Sequence, residues 1–135
     1  MASPEKGNHS MHPNVYDLML EQVFTVQPHY TVDHVRRLID TNPIHAIPVV
    51  NSDNEVVGIV STADLVPDLK GGAPVSQIMT RNVYTVSQSD DVQLAARVMR
   101  NHRIHHLVVT YEDRIVGILS SFDLLRLVEE GHFTT

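Results

Sequence analysis

Cysteine and tryptophan are absent from this 135-residue chain, and aromatic residues make up only 5% of it. Without cysteine there is no thiol nucleophile, no disulfide framework and no Cys-ligated zinc, and the composition suits a reducing compartment. A cytoplasmic location is the expectation. The first fourteen residues, Met1 to Asn14, are polar with two prolines and no apolar core, so they read as a mobile tail rather than a secretory signal or membrane anchor. Basic residues are also scarce: ten Lys and Arg stand against sixteen Asp and Glu, a formal charge of -6. Such a field repels polyanions and argues against nucleic acid as a partner, so any anion site must be local. The Gly-x-Ser-x-Gly, Walker A, His-Glu-x-x-His and Gly-x-Gly-x-x-Gly strings are all missing, and an enzyme is not expected.

What the chain does contain is a repeat. Val15-Tyr-Asp-Leu-Met19 aligns with Val75-Ser-Gln-Ile-Met79, and the same offset of 60 pairs Val23 with Val83, Val32 with Val92, Arg37 with Arg97 and His45 with His105. Beyond the turn at Asn51 to Glu55 the offset falls to 59, pairing Gly58 with Gly117, Ser61 with Ser120 and Asp64 with Asp123. A one-residue deletion in a surface turn is tolerated, and a repeat of this length is one supersecondary unit used twice. The expected organisation is a tail over 1–12, a first copy over 13–70, a Gly-Pro linker over 71–74, a second copy over 75–131 and a short C-terminal tail over 132–135.

Each copy reads as β-α-β-β-α. Val23–Val26 and Val83–Val86 are expected as short strands, and helices begin near Thr31 and Asp90. Val32, Val35, Leu38 and Ile39 recur at helical spacing, as do Val92, Ala95, Ala96, Val98 and Met99. Buried hairpins then follow at Ala46–Val50 with Val56–Val60 and at Leu107–Thr110 with Ile115–Leu119. A second helix starts after Ser61 and again after Ser120, broken at Pro67 in the first copy and running over Phe122–Glu130 in the second.

The strings that carry chemistry are Gly58-Ile-Val-Ser61-Thr-Ala-Asp64 and Gly117-Ile-Leu-Ser120-Ser-Phe-Asp123, each at a strand-to-helix junction. The first N–H groups of a helix lack internal partners and favour anions. A serine hydroxyl adds a donor, and an aspartate can accept both hydroxyls of a ribose cis-diol. Ser-x-x-Asp is equally a helix capping pattern, and on the residues alone the two readings stay open.

Taken in order, the Val-x-Thr-Val segments at 23–26 and 83–86, the Ile44-His-Ala-Ile-Pro-Val-Val50 and Ile104-His-His-Leu-Val-Val109 strands and both Gly-x-x-Ser-x-x-Asp strings resemble tandem cystathionine β-synthase (CBS) domains over residues 12 to 130. The resemblance implies a stand-alone Bateman module, an α/β (α+β) fold of two pseudo-twofold-related β-α-β-β-α repeats. It further implies adenosyl ligands such as AMP, ADP, ATP, NAD or S-adenosylmethionine in clefts between the repeats, and a homodimer. Asp64 and Asp123 would hold ribose, with Ser61, Thr62, Ser120 and Ser121 beside them. Each cleft would borrow the segment leading into the other repeat: Ile78, Met79, Thr80 and Val83 at the Asp64 site, and Met19, Leu20 and Val23 at the Asp123 site. The bland alternative makes Met19, Val23, Ile78 and Val83 plain core residues.

His45, His105 and His106 precede a buried strand where family members carry residues facing phosphate. The resemblance gives His106 to the Asp64 cleft, and His45 with His105 to the Asp123 cleft. Imidazole in place of arginine trades a permanent fork for a group that charges only as pH falls. His102, His105 and His106 cluster in sequence, but no carboxylate or cysteine completes a ligand spacing, so no metal is expected. Arg97, Arg100 and Arg103 read as solvated charges, whereas Arg81 is the candidate phosphate contact. Ser120, Asp123 and His105 make a cap more readily than a catalytic triad. The resulting expectation is a non-enzymatic sensor of adenine nucleotide that acts on an unidentified effector protein and needs no cofactor. The competing expectation is a ligand-free dimeric interaction module.

Overall fold

The computed structural model describes residues 13–66 and 70–131. The elements are α1 (Val15–Leu18), α2 (Val32–Thr41), β1 (Ala46–Val50), β2 (Val56–Ser61), β3 (Thr85–Ser87), α3 (Val92–His102), β4 (His106–Tyr111), β5 (Arg114–Ser120) and α4 (Ser121–Glu129). Single 3-10 turns lie at Thr62–Asp64 and Val75–Gln77. Among the described residues no helix is long and apolar enough to cross a membrane. The expected break at Pro67 and both terminal tails lie outside the described residues.

The elements gather into two compact units that do not coincide with the two copies in sequence. One unit is Phe24–Val83; the other joins the chain up to Val23 to the chain from Tyr84 onward. Main-chain bonding explains the exchange. In the Asp123 unit, Leu20 gives its N–H to the Ile118 carbonyl at 2.9 Å and takes the Ile118 N–H at 3.0 Å. In the Asp64 unit, Thr80 and Ile59 exchange the same two bonds, both at 2.9 Å. Each segment leading into a copy is thereby fixed on the outer edge of the other copy's last strand.

In the Asp64 unit β1 and β2 pair antiparallel, and Val26 adds a parallel bridge to Val49. In the Asp123 unit β3 runs parallel to β4, which pairs antiparallel with β5. Both hairpins shift register just before the glycine of the Ser/Asp motif, between Val49 and Val50 and between Val109 and Thr110. The strands expected at Val23–Val26 and Val83–Val86 are shorter: only Val26 pairs in the first copy, and the second copy's strand is Thr85–Ser87. In the first copy a turn closed by Tyr30 N–H on the Gln27 carbonyl ends the pairing at once.

The helices follow their apolar spacing. Val32 and Val35 of α2 are buried, capped by Thr31 Oγ1, which accepts the His34 N–H at 3.1 Å. Val92, Ala95 and Met99 of α3 are buried, capped by Asp91 Oδ1 on the Gln93 N–H at 3.0 Å. Ile47 and Leu107, at equivalent places in β1 and β4, are fully buried, and each contributes about 1.5–3 kcal/mol by leaving water. The one-turn α1 was not expected; a reciprocal Asn14/Asp17 capping box holds it, with bonds of 2.9 and 3.1 Å.

Two glycines are required by packing. A Cβ at Gly58 would lie 2.5 Å from Met79 Sδ, and one at Gly117 would lie 2.6 Å from Met19 Sδ and 3.0 Å from the Leu20 carbonyl. The strand surface is bare there so that a methionine can lie across it. Because Gly117 faces main chain as well as a flexible side chain, Gly117→Ala is expected to lower stability by roughly 1–3 kcal/mol and Gly58→Ala by less. Urea denaturation of the two variants measures the difference.

The β4–β5 hairpin turns through Glu112 (φ 50) and Asp113 (φ 62), a two-residue loop with both residues left-handed. Asn-Gly suits that geometry far better than Glu-Asp. The double substitution E112N/D113G is expected to raise stability by about 1 kcal/mol, read as a higher melting temperature.

Candidate functional site

Each unit presents one Ser/Asp junction. Asp123 Oδ2 accepts the Ser120 N–H at 2.8 Å, and Ser120 Oγ accepts the Asp123 N–H at 3.1 Å. Asp64 Oδ2 accepts the Ser61 N–H at 2.9 Å and the Ser61 hydroxyl at 3.3 Å. The capping role is therefore real in both units. It uses only one oxygen: Oδ1 of each half-buried carboxylate accepts no hydrogen bond within the described residues. Capping fixes the carboxylate's orientation and leaves a second acceptor oxygen unengaged, so the two readings of the motif are compatible.

The expectation that helix-start amides would hold an anion requires correction. Ser121 donates its N–H to the His105 carbonyl at 2.8 Å, and Thr62 donates to the His45 carbonyl at 3.0 Å. With the Asp123 N–H also taken by Ser120 Oγ, most of these donors are satisfied by the chain itself. An anion here must rely chiefly on side chains.

The histidines differ between units. His45 and His105 are both exposed. His105 Nδ1 lies 3.1 Å from Ser121 Oγ. His106 stands opposite Ser120 in the β4–β5 register, where the other hairpin pairs Ala46 with Ser61. His106 thus folds into the unit of Asp123, and His45 into the unit of Asp64. His102 stacks on Tyr84 with ring centroids 3.9 Å apart. Among the described residues no group of three or more His, Asp or Glu side chains is gathered for a metal ion.

The borrowed segments divide by burial. Met19, 3% exposed, and Met79, 9% exposed, belong to the apolar cores of their units. Leu20, Thr80 and Arg81 are exposed, and Val23, Ile78 and Val83 are half-buried. Arg81 Nη2 donates to the Ser76 carbonyl at 3.3 Å, which holds its guanidinium near the Thr80 segment. The Asp64 unit therefore contains Ser61, Thr62, Asp64, Ile78, Met79, Thr80, Arg81 and Val83, and the Asp123 unit contains Met19, Leu20, Val23, His105, Ser120, Ser121 and Asp123.

Sequence reading passed over one group. Arg100 and Arg103, read as solvated charges, line a cavity with His105 and Ser121. The available signal was the alignment of the copies, which sets Arg100 against Asp40.

Comparison with known proteins matches the CBS domain twice, at residues 15–71 and 75–130. The chain is 31% identical over 126 residues to a homoserine O-acetyltransferase of Methanohalobium evestigatum, covering 92% of this chain and 26% of that protein. It is 31% identical over 109 residues to an inosine-5′-monophosphate dehydrogenase of Thermoplasma acidophilum, covering 80% and 22%. The chain spans about a quarter of the length of the curated relatives it matches first. Among solved structures, a CBS domain pair in complex with 5′-methylthioadenosine and S-adenosyl-L-methionine superposes with a TM-score of 0.80 at 25% identity, covering 89% of this chain and 98% of that one. An uncharacterized conserved protein from Pyrococcus horikoshii gives a TM-score of 0.76 at 31% identity, covering 88% and 94%. The two matched spans coincide with the two copies of the repeat: the chain belongs to the CBS-domain family and is a pair of CBS domains.

Proposed function

We propose that this CBS-domain pair is a non-enzymatic regulatory module that binds an adenosyl ligand, with AMP, ADP or ATP as first candidates and NAD or S-adenosylmethionine as others. The unengaged Oδ1 of Asp64 and of Asp123 carries the reading. A carboxylate already oriented by its cap offers an acceptor to ribose hydroxyls without first losing side-chain freedom. Ser61, Thr62, Ser120 and Ser121 supply nearby hydroxyls. Leu20, Val23, Ile78, Thr80 and Val83 supply partly apolar walls of the kind that suits a flat heterocycle, backed by buried Met19 and Met79. Arg81, His45, His105 and His106 are assigned to phosphate. The adenosyl ligands of the solved CBS pair support the same chemistry.

Ser120 and Asp123 are committed to each other as a cap, and the relatives with enzyme names match over only about a quarter of their length. Signal output then falls to an effector protein, with the cytoplasm as the proposed setting and no metal, membrane or nucleic acid required. A ligand changes that output only through unequal affinity for two conformations.

Thermal shift with and without AMP, ATP, NAD and S-adenosylmethionine tests the reading. Wild-type protein is expected to gain melting temperature in at least one of these. Asp64→Ala and Asp123→Ala are each expected to lose about 1 kcal/mol of stability from the cap, and the double variant is expected to lose the ligand-dependent gain as well. Equal ligand stabilisation of the double variant and wild type would sink the assignment.

A homodimer forms part of the same proposal. The described part of α4 exposes Phe122 (75%), Leu125 (59%) and Val128 (58%) at spacings of three, a stripe that water disfavours. The substitution pair F122E/L125E is expected to turn a dimer into a monomer in sedimentation velocity. A wild-type protein that sediments as a monomer at high micromolar concentration rejects the dimer.

A further inference from the structure

The two copies differ again on their helical side. In the Asp123 unit, α3, the bend after it and the start of α4 surround a cavity of about 400 Å3. Its apolar wall is Ala96, Met99, Ile104 and Leu124, and Arg100, Arg103, His105 and Ser121 are its polar members. The Asp64 unit has the corresponding cavity, about 370 Å3, lined by Arg36, Ile39, Asp40, Thr62 and Leu65. The offsets that align the copies set Arg36 against Ala96, Ile39 against Met99, Asp40 against Arg100, Thr62 against Ser121 and Leu65 against Leu124.

The same place in the fold thus has opposite chemistry. In the Asp64 unit one arginine and one aspartate cancel in formal charge, and Arg36 is already committed, its Nη2 donating to the Val66 carbonyl at 2.6 Å. In the Asp123 unit alanine removes that arm and leaves the apolar wall open, arginine replaces the acid, and Arg103 adds a second cation. No carboxylate is among the lining residues described. Neither Arg100 nor Arg103 has a side-chain hydrogen bond or ion pair within the described residues, whereas His105 is tied to Ser121 at 3.1 Å.

Arg103 reinforces the contrast. It ends α3 with φ 54, a left-handed position where glycine is the inexpensive residue, and the aligned position in the first copy is Pro43. A long cation therefore stands on the rim at some backbone cost. The Met99 carbonyl at the end of α3, which would repel an anion, accepts both the Arg103 and Ile104 N–H groups. The volume falls within the range of small-molecule pockets, and a chain carrying -6 overall favours a singly charged head over a polyanion.

We propose that this cavity binds a small amphipathic anion: one carboxylate head held by Arg100 and Arg103, with an apolar body against Ala96, Met99, Ile104 and Leu124. The cavity shares His105 and Ser121 with the residues assigned above to the Asp123 junction, but neither aspartate lines it and the head is held by Arg100 and Arg103, so the proposal stands whether or not Asp64 and Asp123 bind an adenosyl ligand.

Octanoate is the probe, with 1-octanol as its uncharged control, titrated into the full chain and followed by amide chemical shifts. Octanoate is expected to saturate in roughly the millimolar range, with shifts concentrated at residues 96–105 and 121–124, and octanol to bind at least tenfold more weakly. The variant A96R/R100D transplants the Arg36/Asp40 pair, which the fold already accommodates at the equivalent place. It is expected to keep the wild-type amide pattern away from the cavity and to lose octanoate affinity at least tenfold. Absence of saturation, equal binding of octanol, or undiminished binding by the variant each overturns the proposal. So does an octanoate-insensitive dimer that the same variant dissociates, since the cavity would then be a contact between copies.

Discussion

Four main-chain hydrogen bonds determine how this chain is partitioned. Leu20 and Ile118 exchange two of them, and Thr80 and Ile59 exchange the other two. Each pair pins the segment entering one sequence copy onto the last strand of the other. Once pinned, Met19 and Met79 lie across Gly117 and Gly58, which explains why the motif in each copy begins with a residue lacking a side chain. The same bonds bring Leu20 and Val23 into the unit of Asp123, and Ile78 to Val83 into the unit of Asp64.

On that frame each aspartate caps its turn with one oxygen and leaves the other unengaged. A helix start in water can be capped by serine alone. Here the acid three residues later closes the turn with Oδ2 and keeps Oδ1 outside the network. Under the proposed function, stability and recognition draw on different atoms of one side chain. The histidine carbonyls complement this: each takes the first amide after its serine, Thr62 or Ser121, leaving fewer donors for an anion at that turn. The imidazole and guanidinium groups that remain differ between the copies at Ala46/His106 and Asp40/Arg100. Duplication supplied two equivalent frames, and substitution at a few positions made their surfaces unequal.

Much of this was legible in the residues. The spacing of Val32 and Val35, and of Val92, Ala95 and Met99, placed the helices because burial follows a 3.6-residue period. The change of offset from 60 to 59 located the shorter hairpin turn at Glu112 and Asp113. Other features were hidden for identifiable reasons. The Leu20–Ile118 and Thr80–Ile59 bonds join backbone to backbone, so no side-chain pattern marks them. Helix α1 is a single turn, too short for periodicity, and its only trace is the Asn14/Asp17 pair. The cavity beside Arg100 and Arg103 emerges only when the copies are compared in space, because a solvated arginine and a rim arginine look alike in sequence.

The proposed dual use of Asp64 and Asp123 is tested most directly by a structure of the protein with AMP or S-adenosylmethionine bound. The expected result is Oδ1 of at least one of these aspartates within hydrogen-bond distance of a ribose hydroxyl while its Oδ2 still accepts the Ser61 or Ser120 amide. A bound nucleoside whose ribose touches neither carboxylate, or a cap that opens to make the contact, would contradict it.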